Sequence, residues 1–395
     1  MANDNKQNVI IRKLPNWTVF RKLASRIKIK ITYKYALPNT DVRQGEYSEQ
    51  EKNAVVWKCR HKWEDEYKRV NAMIDETFRT IPYYSQNDVD LSWIREDMVF
   101  AYFAYGFFPG EYFAFGLENK RPKERREFIS GRLRMRFRCQ MNNLLQAHYF
   151  NDKTETYELY KEDYHREAVA VEKPADYRKF HDFVSRHPVF VKKQVYLAQG
   201  DSVALVDINK ITGTEQEFFE SLIKVGKHIL EEKIVQSEEM AVFNESSVNT
   251  VRAITFNTKS GLKVPYCMVR TGRKGTFVDN SGAGGIQAEI DFATGKVISD
   301  GYDELGGKFK AHPSTGTVFK GYQMPDWNGL QELIFRSAKK MPQIQFIGWD
   351  LAYTEEGWII VEGNENCYTV ALQQIRDKGM RSIFEELMKE MELYA

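Results

Sequence analysis

The sequence contains few metal-binding or cross-linking side chains, and those that it has are dispersed. Its four cysteines, Cys59, Cys139, Cys267 and Cys367, form no C-x-x-C pair, so neither a disulfide framework nor a zinc site is expected. The seven histidines show no H-x-x-x-H or H-x-H spacing, which a histidine metal site would favour. We therefore expect reduced thiols and a cytoplasmic location.

The sequence also lacks an apolar stretch that could cross a membrane. Its most apolar run, Met98 to Phe108, stops at Pro109 and Glu111, well short of the roughly 20 apolar residues that a spanning helix needs. The opening MANDNKQNVI has no basic and then apolar pattern of a signal peptide. We predict a protein that is neither secreted nor membrane-spanning, with the aromatic run packed in its core.

An excess of one charge sign is absent as well. The 57 Lys and Arg residues against 55 Asp and Glu leave a formal net charge of +2, so the overall charge gives no reason to expect a nucleic-acid partner. The chain lacks a G-x-x-x-x-G-K-S/T loop, a G-x-G-x-x-G turn after a strand, and the H-R-D and D-F-G motifs of kinases. A nucleotide site, if present, must be of another design.

Positive charge is concentrated near the start of the chain. Residues 1–47 form a basic amphipathic segment, in which Arg12 to Lys34 holds eight Lys or Arg and no Asp or Glu. An ordinary helix with a solvated basic face explains this pattern. The alternative is peripheral contact of residues 12–34 with an anionic membrane at its inner face. A nucleic-acid role would rest on this segment alone, and we predict no such partner.

The chain has 395 residues, 42% of them hydrophobic, which is enough for two or three domains with buried cores. Residues 48–175 are predicted to be mostly helical. After about Pro174, strand patterns alternate with helix patterns, which indicates the α+β fold class. The predicted elements are two strands around a Gln-Gly-Asp turn, a helix with Thr214 and Glu217 in capping-box spacing, the antiparallel pair TVRAITFN and KVPYCMVRTG, and a C-terminal helix from Val370 to Leu393.

The stretch GWDLAYTEEGWIIVEGNEN, Gly348 to Asn366, predicts a β-hairpin. A turn centred on Glu356 places Asp350 directly opposite Glu362, and the period of two puts Asn364 on the same face. Opposed carboxylates are destabilising unless a cation lies between them, and Mg²⁺ prefers oxygen ligands. An exposed hairpin with solvated acids, or a register shifted by one residue, would also fit the pattern.

The same register makes two further predictions about the hairpin. It pairs Thr354 with Trp358. It also places four apolar residues on the opposite, core-facing side: Trp349, Leu351, Ile359 and Val361.

Four basic residues on predicted strands are candidates for binding phosphates. Lys192 and Lys193 end the strand PVFVKK, and Arg252 and Arg270 have matching parity on their two strands, so that both can face one side. A triphosphate needs cations of this kind, because phosphoryl transfer depends on positioning and charge neutralisation. A lone basic residue on a strand is more often simply solvated. Together with the acid pair, the four favour a nucleotide site.

The order of these pieces resembles the ATP-grasp superfamily, particularly its branch associated with sugar transfer, from about Phe180 to Thr369. FVKK resembles the strand whose lysine reaches the ATP phosphates, which indicates Lys192 rather than Lys193. SVNTVRAITF and MVRTG resemble the strands of two phosphate-facing arginines, here Arg252 and Arg270. ILEEKI resembles the hinge that reads adenine and ribose, which makes three residues candidates: Glu231, Glu232 and Ile234.

The remaining motifs of the resemblance complete a predicted site. NSGAGGIQAEIDFATGKV is similar to an asparagine and double-glycine loop, which implies nucleotide-binding roles for Asn280, Gly284 and Gly285. HPSTGTVFKG resembles a stretch of the sugar-transfer branch and makes His312 a substrate-side candidate. GWD and VEGN match the metal-binding acid and the E-x-N pattern, so the resemblance implies three Mg²⁺ ligands: Asp350, Glu362 and Asn364. The sequence departs from the family pattern in two places. The glycine-rich loop expected after the lysine strand is reduced to LAQGDSVAL, and ENCY replaces the Pro-Gly that often follows E-x-N.

The resemblance implies an ATP-grasp fold, in which two α+β subdomains clamp ATP. The lid would span residues 176–235, and residues 236–395 would bind metal and phosphate. The implied function is a ligase that converts a small-molecule carboxylate into an acyl phosphate with release of ADP. An amine or a sugar-linked acceptor then takes the acyl group, and phosphate is released. The implied setting is cell-surface polysaccharide or related biosynthesis. A kinase acting on a sugar hydroxyl and an inactive nucleotide-binding protein are the alternatives, and a homodimer stays open.

Overall fold

The structure, a computed structural model of the chain, describes residue 27 and residues 47–86, 89–196, 203–277, 279 and 284–391. The α+β class is confirmed, and the four cysteines are buried and not cross-linked. Among the described helices, none combines the length and apolar character that a bilayer span requires. Most of the basic N-terminal segment, residues 197–202 and Asn280 lie outside the described residues.

The first part of the described chain is a helical region, as predicted. Helix α1 begins with a capping box, in which Ser48 accepts a hydrogen bond from the Glu51 backbone and the Glu51 carboxylate accepts one from Ser48. The predicted aromatic run is core, with Phe100, Phe103 and Phe107 all at most 2% exposed. The helices are α1 (Glu49–Lys62), α2 (Glu64–Thr80), α3 (Pro82–Gln86), α4 (Leu91–Tyr105), α5 (Pro109–Ala114), α6 (Pro122–Arg125), α7 (Gly131–Met141), α8 (His148–Asn151) and α9 (Lys153–Tyr164).

A four-stranded antiparallel sheet follows, with the strand order β1-β4-β2-β3. Its strands are β1 (Ala168–Val171), β2 (Val189–Gln194), β3 (Ala204–Asp207) and β4 (His228–Glu232). Helices α10 (Tyr177–Arg186) and α11 (Glu215–Val225) cover one face, and the predicted capping box of Thr214 and Glu217 starts α11. Strand β1 lies within residues 48–175, which were predicted to be mostly helical, so the sheet begins before residue 176.

The second sheet has eight strands and holds the two predicted phosphate arginines, Arg252 and Arg270, together with the predicted metal residues. Its order is β10-β9-β7-β6-β5-β11-β12, with β8 paired to β7. The strands are β5 (Thr250–Thr258), β6 (Gly261–Thr271), β7 (Ile286–Asp291), β8 (Lys296–Val297), β9 (Gly301–Tyr302), β10 (Lys308–Phe309), β11 (Phe346–Thr354) and β12 (Gly357–Asn364). The predicted antiparallel pair is β5 and β6, which join at Thr258 and Gly261. The helices of this part are α12 (Glu238–Ala241), α13 (Trp327–Lys340), α14 (Val370–Ile375) and α15 (Arg381–Glu390).

The single C-terminal helix predicted for Val370 to Leu393 is wrong, because the chain breaks between α14 and α15. Asp377 adopts a left-handed conformation with a φ of 46°, which ends a helix. The backbone at Gly379 then passes so close to Glu127 that a Cβ would lie 2.0 Å from the Glu127 carbonyl oxygen. Only glycine permits this approach.

The register of the β11–β12 hairpin confirms one prediction and corrects another. Thr354 pairs with Gly357 rather than with Trp358, so the turn contains two residues. A bulge at Val361 adds a residue to β12. Beyond this bulge, Asp350 lies opposite Glu362, as predicted.

The bulge also changes which apolar residues share a face. Leu351 lies opposite Ile360, whereas Ile359 lies opposite Ala352. The prediction that Ile359 shares the face of Leu351 is therefore wrong, since one extra residue inverts the parity. Trp349 is fully buried in the core, as expected.

The glycine between the two predicted metal ligands of β12 has a packing role. Gly363 lies opposite Trp349, and the ring of Phe150 packs against its backbone. A Cβ at this position would lie 2.7 Å from Cε1 of Phe150 and 3.4 Å from Cζ3 of Trp349. The buried rings thus require glycine here, which fixes the strand that carries Glu362 and Asn364.

We predict that Gly363→Ala destabilises the fold. Overpacking of a rigid core costs about 1–3 kcal/mol, because the Phe150 ring has to move away from the new methyl group. The apparent melting temperature should fall by a few degrees. Gly110→Ala is the matched control, since no atom lies within 4 Å of its added Cβ. Equal melting temperatures for the two variants would contradict this account.

Candidate functional site

Asp350 lies at the centre of the candidate site. Its Cα pairs with Arg252 on β5 and with Glu362 on β12, so the three side chains form a row across three strands on one face of the sheet. Asp350 is only 6% exposed. A carboxylate at such a place needs cationic partners, because burial of an unpaired charge is strongly unfavourable.

Two arginines supply that compensation. Arg252 binds both carboxylate oxygens of Asp350 through Nε and Nη2, and Arg270 donates from Nη1 to Oδ1 at 2.8 Å. Burial by itself would raise the pKa of Asp350, but the two guanidinium groups hold it below its usual value. The predicted common face of Arg252 and Arg270 is confirmed by their convergence on one carboxylate.

Asp279 extends this cluster. Its carboxylate accepts a hydrogen bond from the Thr250 hydroxyl and lies 3.4 Å from Nη2 of Arg270. Thr250 pairs with Arg270 across β5 and β6. Burial raises the pKa of Asp279, and Arg270 acts in the opposite direction. Arg270 therefore lies between the buried carboxylate of Asp350 and the partly buried carboxylate of Asp279.

The predicted Mg²⁺ ligands lie on one face of the hairpin. Glu362 is opposite Asp350, and Asn364 is opposite Gly348 on the same side. Within the described ranges, no group of three His, Cys, Asp or Glu side chains is close enough to hold a metal ion. Arginine compensates the Asp350 charge in this structure, and the ligand role of the three residues stays a prediction.

A second charged cluster lies where the two sheets meet. Glu231 on β4 is 3% exposed. It accepts hydrogen bonds from Nε and Nη2 of Arg166, at 2.9 and 2.7 Å, and its other oxygen lies 2.8 Å from Nζ of Lys193. Burial opposes ionisation, but Lys193 and Arg166 together lower the pKa of Glu231 to about 2.

Arg166 joins this cluster to the hairpin bulge. Its Nη1 donates to the Ile360 carbonyl at 2.6 Å and its Nη2 to the Val361 carbonyl at 3.2 Å. Its guanidinium also lies 4.4 Å from the centre of the Tyr164 ring. One side chain thus contacts the small sheet, the large sheet and the helical region.

The two strand lysines point in opposite directions. Lys192 pairs with Leu230, which packs under α10 and α11. Lys193 pairs with Ile229, which belongs to the core that includes the large sheet. The lysine that faces the junction is therefore Lys193, whereas the family resemblance indicated Lys192. Parity along a strand is visible in a sequence, but the face that the helices cover is not.

Lys153 is a further cation at the junction. Its Nζ lies 3.9 Å from Oε1 of Glu362 and donates to the Val195 carbonyl at 3.3 Å. Burial lowers the pKa of Lys153, and the Glu362 carboxylate opposes this effect. Neither Lys153 nor Arg166 belongs to a recognisable sequence motif, so no local pattern indicated either residue.

The other predicted hinge residues have ordinary surroundings. Glu232 is partly exposed and accepts a hydrogen bond from the Glu167 backbone at 3.1 Å. Ile234 lies in an irregular, partly exposed connection that follows β4 and leads to the large sheet. Their predicted contacts with a nucleotide stay predictions.

The double-glycine loop is described only in part. Gly284 has a φ of 83°, and its carbonyl accepts a hydrogen bond from Arg273 at 2.6 Å. Gly285 is buried beside it. Since Asn280 is outside the described residues, the predicted role of this loop is not tested.

His312, the predicted substrate-side residue, is buried at 1% exposure. Its Nε2 bonds to the Gly272 carbonyl at 2.9 Å, and its Nδ1 accepts from the Ser314 backbone at 3.3 Å. Burial lowers its pKa, and Arg273 adds to this effect. Both ring nitrogens thus have structural partners, and a substrate contact would have to displace one of them.

The low pKa of Glu231 makes part of the stability depend on pH. A carboxyl group whose pKa falls from 4.5 unfolded to about 2 folded stabilises the protein above pH 4.5, and this contribution is lost as the pH falls toward 2. At neutral pH, Glu231→Gln should destabilise by about 3–5 kcal/mol, because two buried cations lose their partner. The difference from wild type should shrink in acid.

Urea unfolding of both proteins across this pH range measures the difference. Glu220→Gln on α11 removes the same charge from an exposed position and should leave the free energy of unfolding within about 0.5 kcal/mol of wild type. A Glu231→Gln difference that does not change with pH would contradict the assignment.

Comparisons with solved structures find ATP-grasp ligases of low sequence identity. D-alanine–D-alanine ligase from Bacillus anthracis is 11% identical, with 64% of this chain and 70% of that chain covered and a TM-score of 0.38. N5-carboxyaminoimidazole synthetase from Staphylococcus aureus, complexed with ADP, is 10% identical, with 65% and 58% covered and a TM-score of 0.40. The comparison with curated proteins gives no match.

The match to a protein family is more extensive. The model of the sugar-transfer associated ATP-grasp family matches residues 132–389, which include all but the first residue of α7, both sheets and every candidate residue named above. The four-stranded and eight-stranded antiparallel sheets agree with the predicted ATP-grasp fold. The chain belongs to the sugar-transfer associated ATP-grasp family.

Proposed function

We propose that this protein is a Mg²⁺-dependent ligase that uses ATP to activate a small-molecule carboxylic acid and joins it to an amine or a sugar-linked nucleophile. Family membership supports the use of ATP. The observation that carries the assignment of the site is the convergence of Arg252 and Arg270 on Asp350, beside Glu362. This arrangement supports a site in which the arginines bind the phosphates of ATP and the carboxylates bind the metal ion.

The two arginines suit the terminal phosphates of ATP. A guanidinium group binds phosphate oxygens with two parallel hydrogen bonds, and these charge-assisted bonds are stronger than neutral ones. Arg252 and Arg270 already have one common partner in Asp350, so they are oriented toward one point. Binding a phosphate there requires that they share their charge between Asp350 and the nucleotide.

The predicted metal ligands fit Mg²⁺ by their chemistry. Asp350 and Glu362 are directly opposed carboxylates, and the amide of Asn364 lies on the same face. Oxygen ligands of this kind, together with ATP phosphates, are the usual surroundings of Mg²⁺. Bound there, the ion would neutralise charge on the terminal phosphates.

Lys193 is the proposed phosphate lysine, in place of Lys192. It faces the junction between the sheets, and Glu231 holds its ammonium group at 2.8 Å. Lys153, beside Glu362, adds positive charge on the same side. We propose that the irregular connection at 233–237 reads the adenine base, since its backbone follows β4 directly at the junction.

The reaction then needs no nucleophile from the protein. A substrate carboxylate oxygen attacks the γ-phosphorus, the bond to the β,γ-bridging oxygen breaks, and ADP leaves. Arg252 and Arg270 stabilise the charge on the transferred group. The amine or hydroxyl of the second substrate attacks the acyl carbon, the carbon–oxygen bond to phosphate breaks, and phosphate and a proton leave. We propose a cytoplasmic place in polysaccharide or related glycan biosynthesis.

The pair of neighbouring lysines provides a matched test of the nucleotide site. Lys193→Gln should weaken Mg²⁺–ATP binding at least about tenfold, because a lost charged hydrogen bond costs about 1.5–3 kcal/mol. Lys192→Gln removes the same charge one residue away and should change the affinity by less than about twofold. Calorimetric titration with and without Mg²⁺ measures both, and a larger loss in the Lys192 variant would reverse the assignment.

The products of turnover test the proposed chemistry. With a suitable acid and nucleophile, we expect ADP and free phosphate in equal amounts, detected by chromatography and by phosphorus-31 spectra. A stable phosphoester on the acceptor would instead indicate a kinase. Formation of AMP and pyrophosphate would rule out the acyl phosphate route.

A further inference from the structure

Helix α7 carries four arginines and no acidic residue, and two of these arginines differ in their partners. Arg138 is buried and forms a two-bond ion pair with Glu365, the residue that follows Asn364. Arg134, one turn earlier, faces the next residue, Asn366, which is neutral. The same helix face thus offers one neutralised guanidinium and one that lacks such a carboxylate.

Arg134 is a buried cation with incomplete hydrogen bonding. It is 6% exposed. In the part of the chain that the structure describes, its hydrogen bonds all run from Nη1, to the side chain and backbone of Asn366 and to the Cys367 carbonyl. Its Nε is buried without any partner. A buried charge in this state is strongly unfavourable unless an anion joins it.

The acid with a charge effect on Arg134 lies on α5. Glu111 accepts hydrogen bonds from the backbone of Phe108 and Gly131, both at 3.0 Å. Burial raises the pKa of Glu111 to about 7, and Arg134 partly opposes this effect. Both of these bonds end on Oε2 of Glu111, and the hydrogen bonds of Arg134 in the described chain run to Asn366 and Cys367 rather than to this carboxylate.

Arg134 lies next to the proposed phosphate site. The Cys367 carbonyl accepts from Arg134 at 3.4 Å. On its other side, a Cβ built at Gly348 would lie 2.6 Å from Cβ of Cys367 and 3.6 Å from Cδ of Arg252. One residue therefore separates Arg134 from an arginine of the Asp350 cluster.

The same place opens to solvent. Asn366 is partly exposed, and Tyr368 is 53% exposed. The Tyr368 ring lies over the Arg134 guanidinium, with the centroid at 4.5 Å. An aromatic ring on one face of a guanidinium leaves the edge as the direction from which an anion can approach.

We propose that Arg134 binds an oxyanion, a carboxylate or a phosphate ester, of the substrate that is not ATP. This proposal rests on the proposed function and adds a substrate class to it: one of the two joined molecules is anionic at a group apart from ATP. A guanidinium presents its donors in a planar fork that matches carboxylate and phosphate oxygens. Asn366 and Tyr368 would orient the group, and Arg252 would lie beyond Cys367 at the reacting end.

The test measures anion binding by calorimetry with two probes, succinate and inorganic phosphate, each with and without Mg²⁺ and a non-hydrolysable ATP analogue. The analogue occupies the nucleotide site, so that remaining anion binding reports on the subsite. We expect at least one probe to bind wild type. Arg134→Gln should weaken that binding at least about tenfold, which corresponds to one charged hydrogen bond.

Two further variants keep the proposal testable if Arg134→Gln is poorly folded. Asn366→Asp supplies a carboxylate to Arg134 and should weaken anion binding by a similar factor while leaving the arginine in place. Arg136→Gln removes a charge from the same helix and should change binding by less than about twofold. The probe that binds more tightly distinguishes a carboxylate from a phosphate ester.

Three results would overturn the proposal. They are equal binding in wild type and Arg134→Gln, absence of binding by both probes to wild type, and loss of binding in Arg252→Gln alone. Titration with Mg²⁺–ATP separates this proposal from the proposed function, since Arg134→Gln should bind the nucleotide as wild type does. Anion binding that depends on Arg134 in a protein that does not bind ATP would retain the subsite and reject the ligase.

Discussion

A carboxylate buried in the centre of a sheet must be paired with cations, and this requirement at Asp350 determines the arrangement of the site. The residue is nearly inaccessible and lies between Arg252 and Glu362 in the register of three strands. Its two arginine partners come from adjacent strands and therefore approach from one direction. Removing either side of such a buried pair is costly, whereas adding a further anion and a metal ion can rearrange it. The cluster that stabilises the folded protein is thus also the one that we propose as the nucleotide site.

The second requirement is the connection between the two sheets. Arg166 is the link, because it bonds Glu231 on the small sheet and two carbonyls at the hairpin bulge of the large sheet. Those carbonyls are available where the bulge interrupts the β11–β12 pairing. Glu231 in turn positions Lys193. A change at the bulge would therefore affect Lys193 through two ion pairs, Arg166–Glu231 and Glu231–Lys193. These pairs connect β12, which carries two of the predicted metal ligands, to the proposed phosphate lysine.

The sequence predicted the class of fold, because alternation along strands depends on local chemistry. It also predicted the opposition of Asp350 and Glu362, although the two-residue turn shifts the register by one residue and the bulge at Val361 restores this pair. It did not predict the bulge at Val361, since one inserted residue leaves no compositional mark. The orientation of Lys192 and Lys193 depends on which face of the sheet α10 and α11 cover, and only the tertiary structure shows this.

Other features were beyond the reach of local patterns. The break before α15 follows from the close contact of Gly379 with Glu127, more than two hundred residues away in the chain. Arg166, Lys153 and Arg134 become candidates only through their partners in space. In α7, the run RLRMRFR has four arginines and no acid, but the sequence does not show which of them is buried without a carboxylate partner.

The most direct test of the account is the binding of Mn²⁺, as a substitute for Mg²⁺, followed by electron paramagnetic resonance in the presence of ADP. The account predicts that wild type binds Mn²⁺ in a nucleotide-dependent manner and that Glu362→Gln loses at least about tenfold in affinity. Asp377→Asn, which alters an exposed acid in the turn between α14 and α15, should bind as wild type does. Undiminished Mn²⁺ binding by Glu362→Gln would contradict the placement of the metal on the hairpin.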